Sequence, residues 1–216
     1  LRHGQDVTGN LLLGDAMRTA YLESADPLPV ASADKPQVYG EMAREAAQGE
    51  LPGPSAGGEQ PKFTVYADAD IAPQHMIVKF SEAADNSVTR RWRDLLLAEH
   101  LALQVLAEQG VAAARSSIVD HGSQRFLEVQ RFDRVGVRGR RALFSLAALD
   151  AEFVGAAQSG WPAITRQLAR QGLIRPEAAE GAALLWAFGT LIGNTDMHTG
   201  YLSFISDHGR PYALAP

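Results

Sequence analysis

Leu191-Ile192-Gly193-Asn194-Thr195-Asp196-Met197-His198-Thr199-Gly200-Tyr201-Leu202-Ser203-Phe204 runs from the end of an apolar helical stretch, through polar residues between Asn194 and His198, into an alternating segment. The pattern predicts a helix, a polar turn and a strand in immediate succession. Turns held by rigid elements are where catalytic groups concentrate. Asp196 is suited to accept a proton from an attacking hydroxyl, and His198, two residues on, reaches the same space. The competing reading is a polar turn whose Asn194 and Asp196 only cap backbone groups.

Upstream of this stretch the sequence is helical. Pro176 to Leu191 begins with proline, as first helical turns often do. Trp161 to Gln171 is stopped by Gly172, and Ser145 to Leu149 makes a shorter helix. Ala182 to Ile192 is too short to span a bilayer and reads as a buried core helix. Downstream, Tyr201 to Ile205 and Tyr212 to Leu214 flank a turn at Asp207-His208-Gly209-Arg210, a hairpin by turn chemistry.

The first half carries the other recognisable parts. Leu11-Leu12-Leu13-Gly14 predicts a short strand that gives way to a helix through Leu22. A proline-bearing loop to Pro36 precedes an amphipathic helix from Tyr39 to Gln48. Leu51 to Lys62 is a break rich in Pro and Gly, followed by the alternating strand Phe63-Thr64-Val65-Tyr66. Gly57 and Gly58 can present backbone N–H groups to an anion, a nest of the kind that binds phosphate. A flexible surface hairpin is the alternative, and the segment lacks the Gly-Lys-Ser/Thr ending of a Walker loop.

Gln74-His75-Met76-Ile77-Val78-Lys79-Phe80 is β-rich, with a lysine downstream of the glycine turn where phosphates would lie. Trp92 to Gln109 is the clearest helix, stopped by Gly110. Glu99 within it either pairs with Lys79 or lies on a solvated face. Ser116 to Asp120 and Arg125 to Val129 flank His121-Gly122-Ser123 as a hairpin. Arg138-Gly139-Arg140-Arg141 reads as a solvated charge run rather than a nucleic-acid patch, because the formal net charge is −5.

The 216 residues suit one large domain or two small lobes, and 46% hydrophobic content can fill a core. With no cysteine, disulfides, thiolate nucleophiles and thiolate zinc sites are excluded, which suits a reducing cytoplasm. The start at Leu1 carries no charged-then-apolar leader and reads as an excerpt whose native start is missing. A strand-rich first half and a helical second half predict an α+β chain of two lobes. The expected organisation is a partial N-terminal module over 1–50, a nucleotide-binding small lobe over 51–134 and a helical catalytic lobe over 135–216, incomplete at its C-terminus.

A glycine turn, a strand lysine, a helix glutamate, a hairpin leading into a connector and an aspartate-bearing loop occur in the order found in protein-kinase-like phosphotransferases. Three segments also resemble signature stretches of one family: Ser55-Ala56-Gly57-Gly58-Glu59-Gln60-Pro61-Lys62, Val129-Gln130-Arg131-Phe132-Asp133-Arg134 and Gly193-Asn194-Thr195-Asp196-Met197-His198. They look like those of HipA-type serine/threonine protein kinases, the toxin component of bacterial toxin–antitoxin modules. The resemblance implies a two-lobed protein-kinase-like fold, a β-rich N-terminal lobe and a helical C-terminal lobe, with ATP and Mg²⁺ as cofactors. It implies Asp196 as catalytic base with His198 beside it, Lys79 as the phosphate lysine and Glu99 as its acidic partner. Ser55 matches a serine that such kinases phosphorylate on themselves, switching activity off. Ala56, Gly57, Gly58, Glu59 and Gln60 would lie over the phosphates, and Gln130, Arg131 and Phe132 would line the adenine pocket. The same resemblance implies a DNA-binding antitoxin partner. An aminoacyl-tRNA synthetase is the family's suggested protein substrate, although no residue here selects one.

Two departures fall on the metal. The family's catalytic loop has an asparagine five residues after the base where this chain has Tyr201, and a phenol is a poor ligand for a hard cation. The second metal aspartate is expected soon after Leu214, and the sequence given ends at Pro216. With Mg²⁺ poorly held, transfer should be weak while ATP binding persists. The second hypothesis is therefore a catalytically impaired, nucleotide-binding regulatory module acting through a protein partner. A third, a metal-dependent hydrolase built on Asp196, His198 and His208, matches no standard ligand spacing and leaves the glycine turn unexplained.

Overall fold

The computed structural model describes residues 6–47, 60–156 and 158–216. The chain divides into two units, one ending at Arg140 and one beginning at Arg141. The first is built from α1 (Asp15–Glu23), α2 (Lys35–Ala47), β1 (Lys62–Ala67), β2 (Gln74–Phe80), α3 (Ser87–Glu108), β3 (Ser116–His121), β4 (Gln124–Gln130), β5 (Arg134–Val135) and β6 (Gly139–Arg140). β1, β2, β4 and β3 form, in that order, an antiparallel sheet, and β5 pairs with β6 as a separate small hairpin.

Alternation decides what each sheet face carries. Side chains two apart share a face, so Met76, Val78 and Phe80 enter a core with Phe63, Phe126 and the α2 residues Tyr39 and Ala43. Tyr39 packs edge-on against Phe63 and Phe126 at centroid separations of 5.5 and 5.7 Å. Lys79 belongs to the other parity and pairs across the sheet with Lys62 of β1 and Leu127 of β4. α3 starts where the Asn86 side chain accepts hydrogen bonds from the backbone N–H groups of Val88 and Thr89, both at 3.0 Å, an N-cap that satisfies two otherwise orphaned donors.

Three expectations change here. Leu11 to Leu13 form no strand: no ladder partner lies beside them among the described residues, and Leu11 and Leu13 are exposed. α2 begins at Lys35 rather than Tyr39, because Pro36 fits a first helical turn whose N–H groups have no intrahelical acceptor. The arginine run is not simply solvated. Arg138 bonds Asp26 and the Tyr21 and Ser24 carbonyls, and the Arg140 guanidinium lies 4.4 Å from the Tyr21 ring centroid. α1, which buries no residue of its own, is thereby tied to the β5–β6 hairpin.

The second unit contains β7 (Ala142–Ser145), α4 (Leu146–Phe153), α5 (Gly160–Arg170), α6 (Pro176–Leu191), β8 (Ser203–Ser206) and β9 (Ala213–Leu214). β8 lies between β7 and β9 in an antiparallel sheet, so the expected tail hairpin is present with an additional strand, β7. Leu146, Ile164, Leu168, Ala182 and Phe204 are fully buried at its centre. Ser145 ends β7 and caps α4, its Oγ accepting from the Ala148 N–H at 3.2 Å. α6 starts at Pro176 and ends at Leu191 as expected, but it is not buried all round. Ala178, Ala179, Ala182 and Gly189 face the core, while Leu184 and Leu191 are exposed.

One buried charge cluster joins α2 to the sheet of the first unit. Glu128, 2% exposed, accepts from Lys35 Nζ at 2.7 Å, Ser117 Oγ at 2.5 Å and the Tyr39 hydroxyl. Burial, and then the carboxylate that accepts its proton, push the Tyr39 phenol far above its ordinary value. Removing one partner strands the other charge, so Lys35→Met is expected to cost about 3 kcal/mol of stability. The double variant Lys35→Met/Glu128→Leu should recover most of that loss in urea unfolding. An equal loss in both variants would show that the stranded carboxylate is not its source.

Candidate functional site

In the first unit the sequence separates Lys79 and Glu99 by an entire loop and part of a helix, and the fold returns them to contact. Lys79 Nζ donates to both Glu99 carboxylate oxygens, at 2.6 and 2.8 Å. The pair is partly exposed, the side chains retaining 25% and 36% of their accessible surface. Such an ion pair stabilises a fold little. Its structural effect is to hold the ammonium at a fixed height above the sheet. Directly across the ladder stands Lys62, whose ammonium is pushed below its usual value by burial first and by the neighbouring Lys79 second, with Glu99 opposing. Two lysines and one carboxylate thus lie together at this end of the sheet. Lys62 was quoted above as part of a motif but given no role, and the cross-strand register that sets it beside Lys79 is not legible in either segment alone.

At the other end of β4, Gln130, Arg131 and Phe132 leave the sheet. The Gln130 side chain bonds Gln74 at 3.2 Å, and Phe132 is half-buried. The Arg131 N–H donates to the His75 carbonyl at 2.9 Å. The Arg131 guanidinium is buried and engaged with Asp133 at 3.0 Å and with Asp6 at 2.6 and 2.7 Å. Arg134 completes the cluster, donating to Asp133 at 2.8 Å, to Asp6 at 2.7 Å and to the Gly9 carbonyl at 3.0 Å. These bonds fasten residues 6–9 to the exit of β4. His75 lies alongside, its ring tilted by 45° against Tyr66, and burial, opposed by the hydrogen bond to the Val137 carbonyl and aided by Arg134 and Arg131, keeps its imidazole below the usual value. Ser55, Ala56, Gly57, Gly58 and Glu59 lie outside the described residues, and Gln60 is half-buried just before β1.

The second unit holds the aspartate-bearing loop. α6 ends on Gly193 at φ 73°, a left-handed position that suits glycine at a helix C-terminus, and the Asn194 N–H returns to the Gly189 carbonyl at 2.9 Å. A side chain at Gly189 would collide with the Met197 sulfur, so glycine there lets the loop lie against the helix. Asn194 Oδ1 accepts from the Asp196 N–H at 2.9 Å, which closes an Asx turn and fixes the aspartate backbone. The His198 carbonyl accepts from Trp161 Nε1 at 3.3 Å, while Thr199 and Leu202 carbonyls accept from the first N–H groups of α4. The loop is therefore anchored to α4, α5 and α6, and the Asp196 carboxylate remains exposed.

His198 Nδ1 accepts from the Gly200 N–H at 3.0 Å, which assigns the ring proton to Nε2 in the neutral tautomer. Nε2 stands 4.0 Å from Asp196 Oδ1. The Tyr201 ring lies against the same imidazole, with centroids 3.9 Å apart and the planes tilted by 40°. Among the described residues no three His, Asp or Glu side chains converge as a metal site. The donor set around Asp196 does not fit a resident Mg²⁺, because the neighbouring position that would add an amide oxygen carries a phenol packed on His198. No helix among the described residues is long and apolar enough to cross a membrane.

Comparison with known proteins extends this geometry. The HipA-like C-terminal domain pattern matches residues 54–216. Toxin YjjJ of Escherichia coli (strain K12) is 39% identical over 212 residues, covering 98% of this chain and 47% of that protein. The chain thus spans about half the length of the curated relative it matches. Among solved structures, a chain of the Shewanella oneidensis MR-1 complex of HipA, HipB and operator DNA superposes with a TM-score of 0.54 at 23% identity, over 76% of this chain and 43% of that one. The Helicobacter pylori proinflammatory kinase CtkA gives 0.54 at 15% identity, over 74% and 52%. These likenesses make the fold α+β and protein-kinase-like.

The arginine–aspartate cluster has a definite pH signature. Burial alone would raise the Asp133 carboxyl, but Arg131 and then Arg134 outweigh it and hold it below its ordinary value. A carboxylate lowered on folding stabilises the native state above its unfolded pKa, and that contribution is lost as pH falls through the folded value. Asp133→Asn should cost about 3 kcal/mol near neutral pH by leaving two guanidinium groups underpaired. The gap to the parent chain should close progressively below about pH 4 in denaturant titrations. A gap independent of pH would remove the electrostatic explanation.

Proposed function

The chain belongs to the HipA-like C-terminal domain family, and we propose that it carries the phosphate-binding and catalytic parts of an ATP-dependent serine/threonine protein kinase. The observation that carries this reading is the Lys79–Glu99 pair, with both carboxylate oxygens on one ammonium. A lysine held in this way by a helix glutamate is the device by which kinases orient nucleotide phosphates. Lys62, beside it in the ladder, adds a second positive charge for the same anion. The Gly57-Gly58 turn supplies backbone N–H donors in this scheme, and Gln130 to Phe132 supply the adenine contacts.

Asp196 acts as the base. The substrate hydroxyl oxygen forms a bond to the γ-phosphorus as the bond from that phosphorus to the bridging oxygen of ADP breaks, and the hydroxyl proton passes to the Asp196 carboxylate. The Asx turn made by Asn194 fixes the Asp196 backbone, and His198 Nε2 stands 4.0 Å from the carboxylate, beyond direct hydrogen-bond distance. Mg²⁺ would neutralise phosphoryl charge when bound, yet the protein donors near Asp196 are too few to assign it here. Ser55 is the proposed site of self-phosphorylation. The relative solved with HipB and operator DNA supports an antitoxin partner for this protein; an aminoacyl-tRNA synthetase as protein substrate and the cytoplasm as location are proposed from the family resemblance alone.

Tyr201 favours a second reading, a nucleotide-binding module impaired in transfer, because its ring packs against His198 where the family pattern has an asparagine. Incubation with γ-labelled ATP separates the two. Label on Ser55 or on added protein supports the kinase, and Asp196→Asn should reduce it at least about a hundredfold while ATP binding is retained. Absence of label with ATP bound establishes the impaired module, and label retained in Asp196→Asn rejects that residue as base. Independently, Lys79→Met should weaken ATP binding about tenfold or more through the loss of charge-assisted phosphate contacts. Unchanged affinity in a titration calorimeter would remove Lys79 from the site.

A further inference from the structure

The first unit has a second concave surface, on the face of the sheet opposite Lys79. A cavity of about 530 Å³ opens there between the β1–β2 turn and the start of β3, floored by Met76 and Glu128. Parity separates it from the Lys79–Glu99 pair. Val78 stands opposite Glu128 in the ladder, whereas Lys79 stands opposite Leu127, and adjacent residues of a strand point to opposite faces. The volume lies within the range of about 300–1,000 Å³ typical of small-molecule sites.

The chemistry of the lining narrows the ligand. Two cationic side chains, Lys35 and Arg115, and three carboxylates, Asp68, Asp70 and Glu128, contribute a net charge of −1. That disfavours a nucleotide or free phosphate. Lys35 and Glu128 already neutralise each other at the floor, 2.7 Å apart, so the rim decides what enters. Asp68 and Asp70 stand on the β1–β2 turn at one side, and Arg115 immediately precedes β3 at the other. The strand order β1-β2-β4-β3 puts three strand spacings, about 14 Å, between those two sides. Allowing for the reach of the side chains, the complementary ligand carries its amine and its carboxylate roughly 10 Å apart, the length of an extended tripeptide. Between the rims Ser32, Gln74 and Ser117 offer hydrogen bonds of the kind a peptide backbone uses, and Met76 and Ala69 offer an apolar patch.

We propose that this back-face cavity is a binding site for a short zwitterionic peptide, its amino end held by Asp68 and Asp70 and its carboxylate by Arg115. The site does not depend on the kinase reading, since neither Lys79 nor Asp196 takes part. The test is calorimetric titration of the purified protein with triglycine, alongside N-acetyl-triglycine and triglycine amide, which each lack one terminal charge. Triglycine should bind, and each blocked peptide should bind about tenfold more weakly, the value of one charge-assisted contact. Asp70→Asn and Arg115→Gln change exposed rim positions, so the fold should persist, which circular dichroism verifies. Each should reduce triglycine affinity by a similar factor, and Asp70→Asn, unlike Arg115→Gln, should lessen the penalty of N-acetylation, Asp68 keeping the remainder. No binding at millimolar peptide, equal binding of all three peptides, or affinity unchanged in both variants would overturn the assignment.

Discussion

The antiparallel register between β2 and β4 is the constraint on which the first unit depends. It sets Val78 against Glu128 and Lys79 against Leu127. Because the side-chain period of a strand is two, a slip by one residue would exchange the faces. Lys79 would then enter the apolar core around Tyr39 and Phe126, and Val78 would face Glu99. Burying that ammonium without a partner is far costlier than any gain in the ladder. The aromatic core on one face therefore holds Lys79 on the other, and the two surfaces of one sheet cannot vary independently.

The two charged clusters of this unit differ in what they contribute. The Lys79–Glu99 pair is partly exposed, and its net effect on stability is small because water screens it and two long side chains are ordered to make it. Its geometry is nonetheless the feature on which the functional reading rests. The Asp6–Arg131–Asp133–Arg134 group is mostly buried, with several hydrogen bonds for each guanidinium. It fixes how the chain leaves β4 and where residues 6–9 run. A substitution in the first pair should thus alter ligand affinity before stability, and one in the second group the reverse.

Periodicity made some elements directly legible. Gln74 to Phe80 is a strand over the expected residues, and α6 runs from Pro176 to Leu191 because proline and the following glycine mark both ends. Local pattern was weaker where pairing decides the outcome. Leu11 to Leu13 have strand-like composition but no neighbour to pair with, and β7 is recognisable only once β8 lies beside it. The Lys79–Glu99 contact could be inferred from the order of parts, whereas Lys62 beside Lys79 required the register. The basic run around Arg138 looked solvated because its partners, Tyr21 and Asp26, are more than a hundred residues away in sequence.

In the second unit the aspartate loop owes its position to absent side chains as much as to present ones. Gly189 admits Met197 against α6, Gly193 turns the chain at positive φ, and Gly200 leaves room for the His198 ring that its own N–H binds. Each glycine increases the conformational entropy lost on folding, and each is offset by anchoring from outside the loop: Trp161 on the His198 carbonyl, and the α4 N-terminus on Thr199 and Leu202. Those anchors are all backbone carbonyl contacts. Among the described residues the Asp196 carboxylate is exposed and closes no turn. The Asx bond is accepted by Asn194 Oδ1 from the Asp196 N–H, so it is the Asn194 side chain and not that of Asp196 that caps the turn.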